Sequence, residues 1–226
     1  MPIQKTTDEF ILFRYDAPYV FYEPEKITDR TPLLNSLQLN PSICELTLDG
    51  GNLVNWEDSI IMTERVFKDN SDLKRNVVVN TLEKVFDAKV HFVKDVLSDM
   101  TGHIDGHLRF INQNTLLVNS LANEVKCWRN SFLQMVDKTG YSYIEMPWFE
   151  RKVKGNSHHA IGCYVNYLEI SNIIIFPIFE IDGNNDKEAL QIIEEAFPDR
   201  IIEPININEI ALRGGLMNCI SWQVEL

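Results

Sequence analysis

Apolar and polar positions along the chain change period several times, and each change predicts an element. Residues 10–15 alternate closely enough for a strand, in which every second side chain shares a face. An aromatic, proline-bearing loop follows over 17–24, and 28–39 predicts a short helix with Asp29 and Arg30 in its first turn. Residues 43–48 read as a strand running into Asp49-Gly50-Gly51-Asn52. The apolar runs 53–56 and 60–63 flank a turn at Glu57-Asp58-Ser59 and predict a hairpin. Ser71 can cap a helix over 72–86, because Leu73, Val77, Val78, Leu82, Val85 and Phe86 fall on one side. Residues 90–93 return as a strand.

The same order then recurs. Residues 102–111 and 115–120 form a second hairpin about Asn112-Gln113-Asn114, followed by a helix over 122–138, stopped by Gly140, and a strand over 141–146. A third round takes strands at 162–169 and 172–179, a helix capped near Asn185 or Asp186 and ending at Phe197-Pro198, and a strand at 200–204. A fourth begins at Gly214. Hairpin, helix and strand repeating about every 50 to 60 residues is a periodic α/β architecture of small mixed sheets, each with one helix outside. In a ring of such units the glycine-marked strand starts at Gly50, Gly102, Gly162 and Gly214 would face one channel, which would bring Asp49, His103, Asp105 and Cys219 together.

Composition narrows the partners. Hydrophobic residues at 45% and charged residues at 24% of 226 are those of a globular chain with a sizeable core. The net charge of −12 and pI near 4.8 argue against nucleic acid or an anionic membrane, both of which need a basic surface, and favour a cationic ligand. No apolar run approaches the ~18 residues of a membrane span, and Met1-Pro2-Ile3-Gln4-Lys5 lacks the apolar stretch of a secretory signal, so a cytoplasmic location is expected. Cys44, Cys127, Cys163 and Cys219 show no Cys-x-x-Cys spacing, so neither a zinc ribbon nor a disulfide framework is indicated.

Candidate chemistry centres on Gly102-His103-Ile104-Asp105-Gly106-His107. Run as a strand, it would point an imidazole and a carboxylate into the same space, with glycines on each side to admit a ligand. A base and an acid so placed suit a cationic substrate, and Cys219 behind Gly214-Gly215 is the best candidate for the nucleophile they lack.

At these positions the sequence resembles the agmatine deiminase and bacterial-type peptidylarginine deiminase family of the guanidino-group-modifying pentein superfamily. The resemblance is carried by Asp49-Gly50-Gly51-Asn52, Thr63-Glu64-Arg65-Val66-Phe67, Gly102 to Gly106 with Arg109-Phe110, Tyr164-Val165-Asn166-Tyr167-Leu168, and Gly214-Gly215-Leu216-Met217-Asn218-Cys219-Ile220-Ser221-Trp222. It implies a pentein α/β-propeller of five ββαβ units around a central site, and hydrolysis of a guanidinium to a ureido group with release of ammonia, without a cofactor. In that chemistry the delocalised guanidinium carbon needs a strong nucleophile, the Cys219 thiolate. His103 would protonate the departing ammonia and then activate the water that cleaves the thiouronium intermediate. Asp105 would grip the planar N–H fork, Asp49 would hold His103 or share the guanidinium, and Asn218 and Gly215 would line the substrate.

The resemblance also carries departures. Agmatine deiminases often have Glu where this chain has Asp49. Their first motif reads Arg-Asp, an aromatic, then a Pro-containing run such as Met-Pro-Ile-Gln, with which this chain begins. The expectation is a single, N-terminally incomplete deiminase domain over 1–226, lacking one clamping Asp. Its exposed strand edges would favour a homo-oligomer.

Plainer readings stand beside these. His103 and His107 are four apart, a metal-binding spacing only on a helix, which Gly102 and Gly106 disfavour, so no metal is expected and His107 reads as a pocket wall. His158-His159 reads as an exposed loop near the substrate entrance, Cys127 and Cys163 as core thiols, and Trp128, Trp148 and Phe149 as packing. A Cys-His acyl hydrolase would leave the paired carboxylates without a role. A non-enzymatic member would bind guanidino ligands or a partner chain without turnover.

Overall fold

The computed structural model describes residues 1–16, 25, 27–96, 99, 101–122, 124–156 and 158–225. The loop expected over 17–24 lies outside these. The described residues form four three-stranded mixed sheets. The first holds β1 (Ile3–Gln4), β2 (Phe10–Arg14) and β3 (Ser42–Thr47), with α1 (Thr31–Ser36) between the last two. The second holds β4 (Val54–Trp56), β5 (Ser59–Thr63) and β6 (Lys89–Val93), with α2 (Arg65–Asp69) and α3 (Arg75–Phe86). The third holds β7 (Leu108–Asn112), β8 (Thr115–Asn119) and β9 (Ser142–Met146), with α4 (Lys126–Asp137). The fourth holds β10 (Leu168–Ile170), β11 (Ile173–Ile178) and β12 (Ile201–Asn206), with α5 (Asp186–Ala196), and is followed by α6 (Asn208–Ala211). In every sheet the first pair is antiparallel and the second parallel. A parallel neighbour needs a crossover, and the helix supplies it.

Alternation along the middle strands explains how the units join. On β5, Ile61 faces one core while Ile60 and Met62 face another; on β8, Leu117 and the pair Leu116 and Val118 divide in the same way. Each middle sheet is thus buried on both faces, which is why its central strand reads as a continuous apolar run. The helices fill the spaces between sheets. Val78, Leu82 and Phe86 of α3 pack with Ile11 and Phe13 of the first sheet, and Trp128, Phe132 and Val136 of α4 with Val54, Ile61 and Val93 of the second. Ala189 and Ile193 of α5 pack with Ile111, Leu117 and Met146 of the third. Start and end of the chain also meet: Trp222 Nε1 donates to Pro2 O at 2.9 Å, and Gln4 exchanges two hydrogen bonds with the Glu225 backbone at 2.7 and 2.8 Å.

Several expected elements are corrected. The helix expected from Asp72 with Ser71 as cap begins only at Arg75. Asn70, 4% exposed, spends its carboxamide on both Thr47 backbone groups and on Val66 O, and so holds the preceding residues in a turn that closes α2. Residues 102–107 form bends and turns, and the strand starts at Leu108. The backbone N–H groups of His107 and Leu108 both return to Ile104 O, so no ladder can form there. The strand expected over 162–169 shrinks to Leu168–Ile170. Gly162 has φ +97° with Phe149 O so close that a Cβ would lie 2.2 Å from it, a path that leaves extended conformation. Cys127 is exposed, one position off the buried stripe of α4, and is no core thiol.

A half-buried carboxylate closes the fourth unit. Asp186, in the first turn of α5, accepts from Tyr164 OH at 2.6 Å, Glu180 N at 2.7 Å and Phe179 N at 3.1 Å. Removing it strands three donors, so Asp186→Ala should lower stability by about 3 kcal/mol or more. Urea midpoints with unchanged slope would read this directly, and a loss under about 1 kcal/mol would mean water replaces the carboxylate.

Candidate active site

The units leave between them a cavity of about 1990 Å³, lined by residues from all four, among them Asp49, His103, Asp105, Asn166, Asn218 and Cys219. Gly50, Gly51, Gly106, Gly214 and Gly215 also line it. The expectation that Gly50, Gly102, Gly162 and Gly214 mark strand starts facing this space is corrected. All four lie in turns or loops, and Gly102 and Gly162 are not among the lining residues.

Asp49 ends its segment in extended conformation, ahead of a single helical turn over Gly50–Asn52. Asn52, 1% exposed, fixes that turn by accepting from Thr63 N at 2.9 Å, and the Thr63 hydroxyl lies 2.7 Å from Gly102 O. The turn is therefore pinned against the His103 segment. Gly51 is required there, because a Cβ would lie 2.4 Å from His103 Nδ1. Its carbonyl accepts Asp105 N at 3.1 Å, and His103 Nε2 meets Asp49 Oδ2 at 3.0 Å. Burial works to lower the His103 pKa, but the hydrogen bond and charge of Asp49, with the charges of Asp105 and Asp99, prevail and raise it above the usual 6.5.

Asp105 is 3% exposed and accepts Asn218 Nδ2 at 2.8 Å. That bond joins the His103 turn to the short helical turn Asn218–Ile220 that carries Cys219. Although Cys219 as a residue is exposed, burial around the sulfur and then the Asp105 charge push its thiol up to about 12. Asn166 contacts both residues, accepting Asn218 N at 2.9 Å and the Cys219 thiol at 3.6 Å.

Cys163, expected in the core, lines the cavity instead and is half-buried. It donates to Gly106 O at 3.2 Å, and burial pushes its thiol up to about 12. Its turn at 160–163 forces it inward. With the shorter S–H contact and the less exposed side chain, Cys163 is the less available of the two sulfurs. His107 also lines the cavity, 3.1 Å from Asp99, whose carboxyl Thr101 and His107 hold well below the usual range despite burial. Trp148, His158 and His159 also line the cavity, as do Arg151 and Lys152.

Asp49, His103, Asp105, Asn218, Gly215 and Cys219 are thus all brought to one space. Sequence reading passed over Asn166 and Asp99 as site residues; Asn166 was visible only as a member of the Tyr164 to Leu168 motif. Among the described residues no group of three or more His, Cys, Asp or Glu could hold a metal ion, and no helix is long and apolar enough to cross a membrane.

Gly51→Ala should be felt at the His103 ring, since the added Cβ would lie 2.4 Å from Nδ1. The ring must shift and its 3.0 Å contact with Asp49 Oδ2 weaken, so the His103 pKa read by NMR titration should fall, with folding cooperativity retained. An unchanged His103 pKa would show that the ring relaxes without losing Asp49.

Known proteins share the sequence pattern and the fold. The model of Porphyromonas-type peptidyl-arginine deiminases matches residues 12–224. "Putative agmatine deiminase 2" of Listeria monocytogenes is 28% identical over 208 residues, 79% of this chain and 55% of that protein. A similarly named protein of Streptococcus mutans is 26% identical over 211 residues, 79% of this chain and 57% of that one. The chain spans about half the length of these curated relatives. Agmatine deiminase of Enterococcus faecalis superposes with a TM-score of 0.79 at 17% identity, over 97% of this chain and 71% of that one. C. jejuni agmatine deiminase gives 0.77 at 19% identity, over 93% and 66%. The fold of an amidinotransferase from Microseira wollei gives 0.61 at 12% identity, over 96% and 64%. The fold is accordingly the pentein-type α/β arrangement of small mixed sheets, and the chain belongs to the Porphyromonas-type peptidyl-arginine deiminase family.

Proposed function

We propose that the cavity deiminates a small guanidino compound, with Cys219 as nucleophile and His103 as acid and base. The observation that supports this most directly is that a thiol, a His–Asp pair and a buried carboxylate line one cavity, with Asn218, the neighbour of Cys219, joined to Asp105 at 2.8 Å. Asp105 offers the planar guanidinium a charge-assisted partner and fixes its carbon near sulfur.

The raised thiol pKa has a consequence for timing. Burial supplies most of it and the Asp105 charge the next part, which a bound guanidinium offsets, so substrate binding makes the thiol more acidic and eases loss of its proton to water. The thiolate then attacks the guanidinium carbon, protonated His103 gives its proton to the departing nitrogen, and ammonia leaves a thiouronium. Neutral His103 next takes a proton from water as the water oxygen bonds to the thiouronium carbon; the C–S bond then breaks, the departing sulfur takes the hydroxyl proton, and a ureido product is released.

Agmatine is the first substrate to test, with free arginine and a peptidylarginine beside it. Ammonia and ureido product in equal amounts support the assignment. Ester or amide cleavage with no ureido product would replace it with acyl hydrolysis.

Asp49 sets the pH range of this chemistry. Its hydrogen bond and charge raise the His103 pKa, keeping the acid form to higher pH. Asp49→Asn removes that charge, so the high-pH limb of kcat should move toward lower pH, with activity at alkaline pH reduced at least about threefold. A pH–rate profile that superimposes on the unsubstituted one would separate His103 from the limiting ionisation.

A further inference from the structure

The spaces between neighbouring sheets are filled by one rule. The far face of each sheet takes the helix of the following unit: α3 on the first sheet, α4 on the second and α5 on the third. The fourth sheet packs Ile174 and Phe176 with α5 on its near side, but none of the three cores includes Ile170, Ile173, Ile201 or Ile205. Register sets Ile170 beside Ile173 and Ile173 beside Ile201, with Ile205 four residues along β12, so these isoleucines share the far face. Ile170, Ile201 and Ile205 are 49%, 48% and 44% exposed.

Helix α1 is the converse, a helix without a sheet to lie on. It has no buried residue, and Leu33 and Leu37, four apart and so on one side, are 39% and 40% exposed. Ile43, in register with Leu12 on the face of the first sheet opposite Ile11 and Phe13, is 74% exposed. One chain thus carries both halves of a further helix-on-sheet layer, and their exposure shows that they do not meet within it.

We propose that the far face of the fourth sheet is an interface with a second copy of this chain, which covers it with α1 and receives α1 on its own fourth sheet in return. A contiguous apolar face of this kind marks an interaction surface. A helix of unrelated sequence would cover the sheet and leave α1 open, and sheet packed on sheet would do the same. A second copy covers both at once, and the reciprocal contact closes a two-fold dimer. The interface needs no part of the deimination reading.

Light scattering after size exclusion, over a concentration series, should give twice the chain mass of 26.2 kDa. Leu33→Glu on the helix and Ile205→Glu on the sheet should each raise the dimer dissociation constant at least about thirtyfold, because each puts a charge into both contacts. Mixing the two variants should restore dimers, since the unchanged α1 of the Ile205→Glu chain meets the unchanged sheet of the Leu33→Glu chain. Where thermal unfolding shows that a Glu variant has not folded, Leu33→Ser or Ile205→Ser replaces it. A single mass of 26.2 kDa for the unsubstituted chain at every concentration would overturn the proposal. Dimers lost with Ile205→Glu but kept with Leu33→Glu would mean sheet packed on sheet and overturn it as well. Dimers that survive both changes, or a mixture that stays monomeric, would do the same.

Discussion

Cys219→Ser should lower deimination by roughly 10⁴-fold or more while leaving agmatine binding within a few-fold of the unsubstituted chain. The asymmetry follows from what each contact does. A guanidinium carbon shares its positive charge over three nitrogens, and an alcohol, far less acidic than a thiol, supplies almost no anion to attack it. In the proposed reaction binding relies on Asp105, whose partner Asn218 Nδ2 at 2.8 Å is untouched by the exchange. Calorimetric titration of the Ser variant with agmatine, beside a stopped ammonia assay, reads both halves. The result also separates the two sulfurs of the cavity. Cys163 is enclosed, with its S–H given to Gly106 O, and residual turnover in the Ser variant would move the nucleophile's part to it.

The elements that sequence reading located well are those whose apolar pattern is set by the cores they divide. Residues 60–63 and 115–120 read as strands because each presents large apolar side chains to two neighbouring cores at once. Helices α3, α4 and α5 were legible from one buried stripe apiece. Segments whose shape is dictated by single hydrogen bonds were not. The turns at 70–73 and 102–107 look like a helix start and a strand in the sequence, and only the Asn70 carboxamide and the doubly used Ile104 carbonyl reverse that. The site itself was legible for a different reason. His103 and Asp105 were expected to converge by strand alternation; they converge because Gly51 lets the His103 ring lie against its backbone and takes Asp105 N on its carbonyl. Asn166 gave little signal, since its partners Asn218 and Cys219 lie more than fifty residues away, at separations of 52 and 53.

Asp105→Asn gives two effects of opposite sign, which makes it the sharper test of the electrostatics. The carboxylate is 3% exposed, and a buried charge-assisted contact to a cation is worth about 2 to 5 kcal/mol. Its loss should reduce kcat/KM on agmatine roughly 30- to 5,000-fold. The same charge helps hold the Cys219 thiol up near 12, so in the Asn variant the thiol becomes more acidic. Alkylation of Cys219 at fixed neutral pH should therefore speed up while turnover collapses. General disruption of the cavity would slow catalysis without this selective acidification, or expose every buried thiol alike, which parallel alkylation of Cys163 and Cys44 would register. Turnover and alkylation falling together would place the Asp105 charge away from the sulfur and remove the basis for substrate-triggered ionisation.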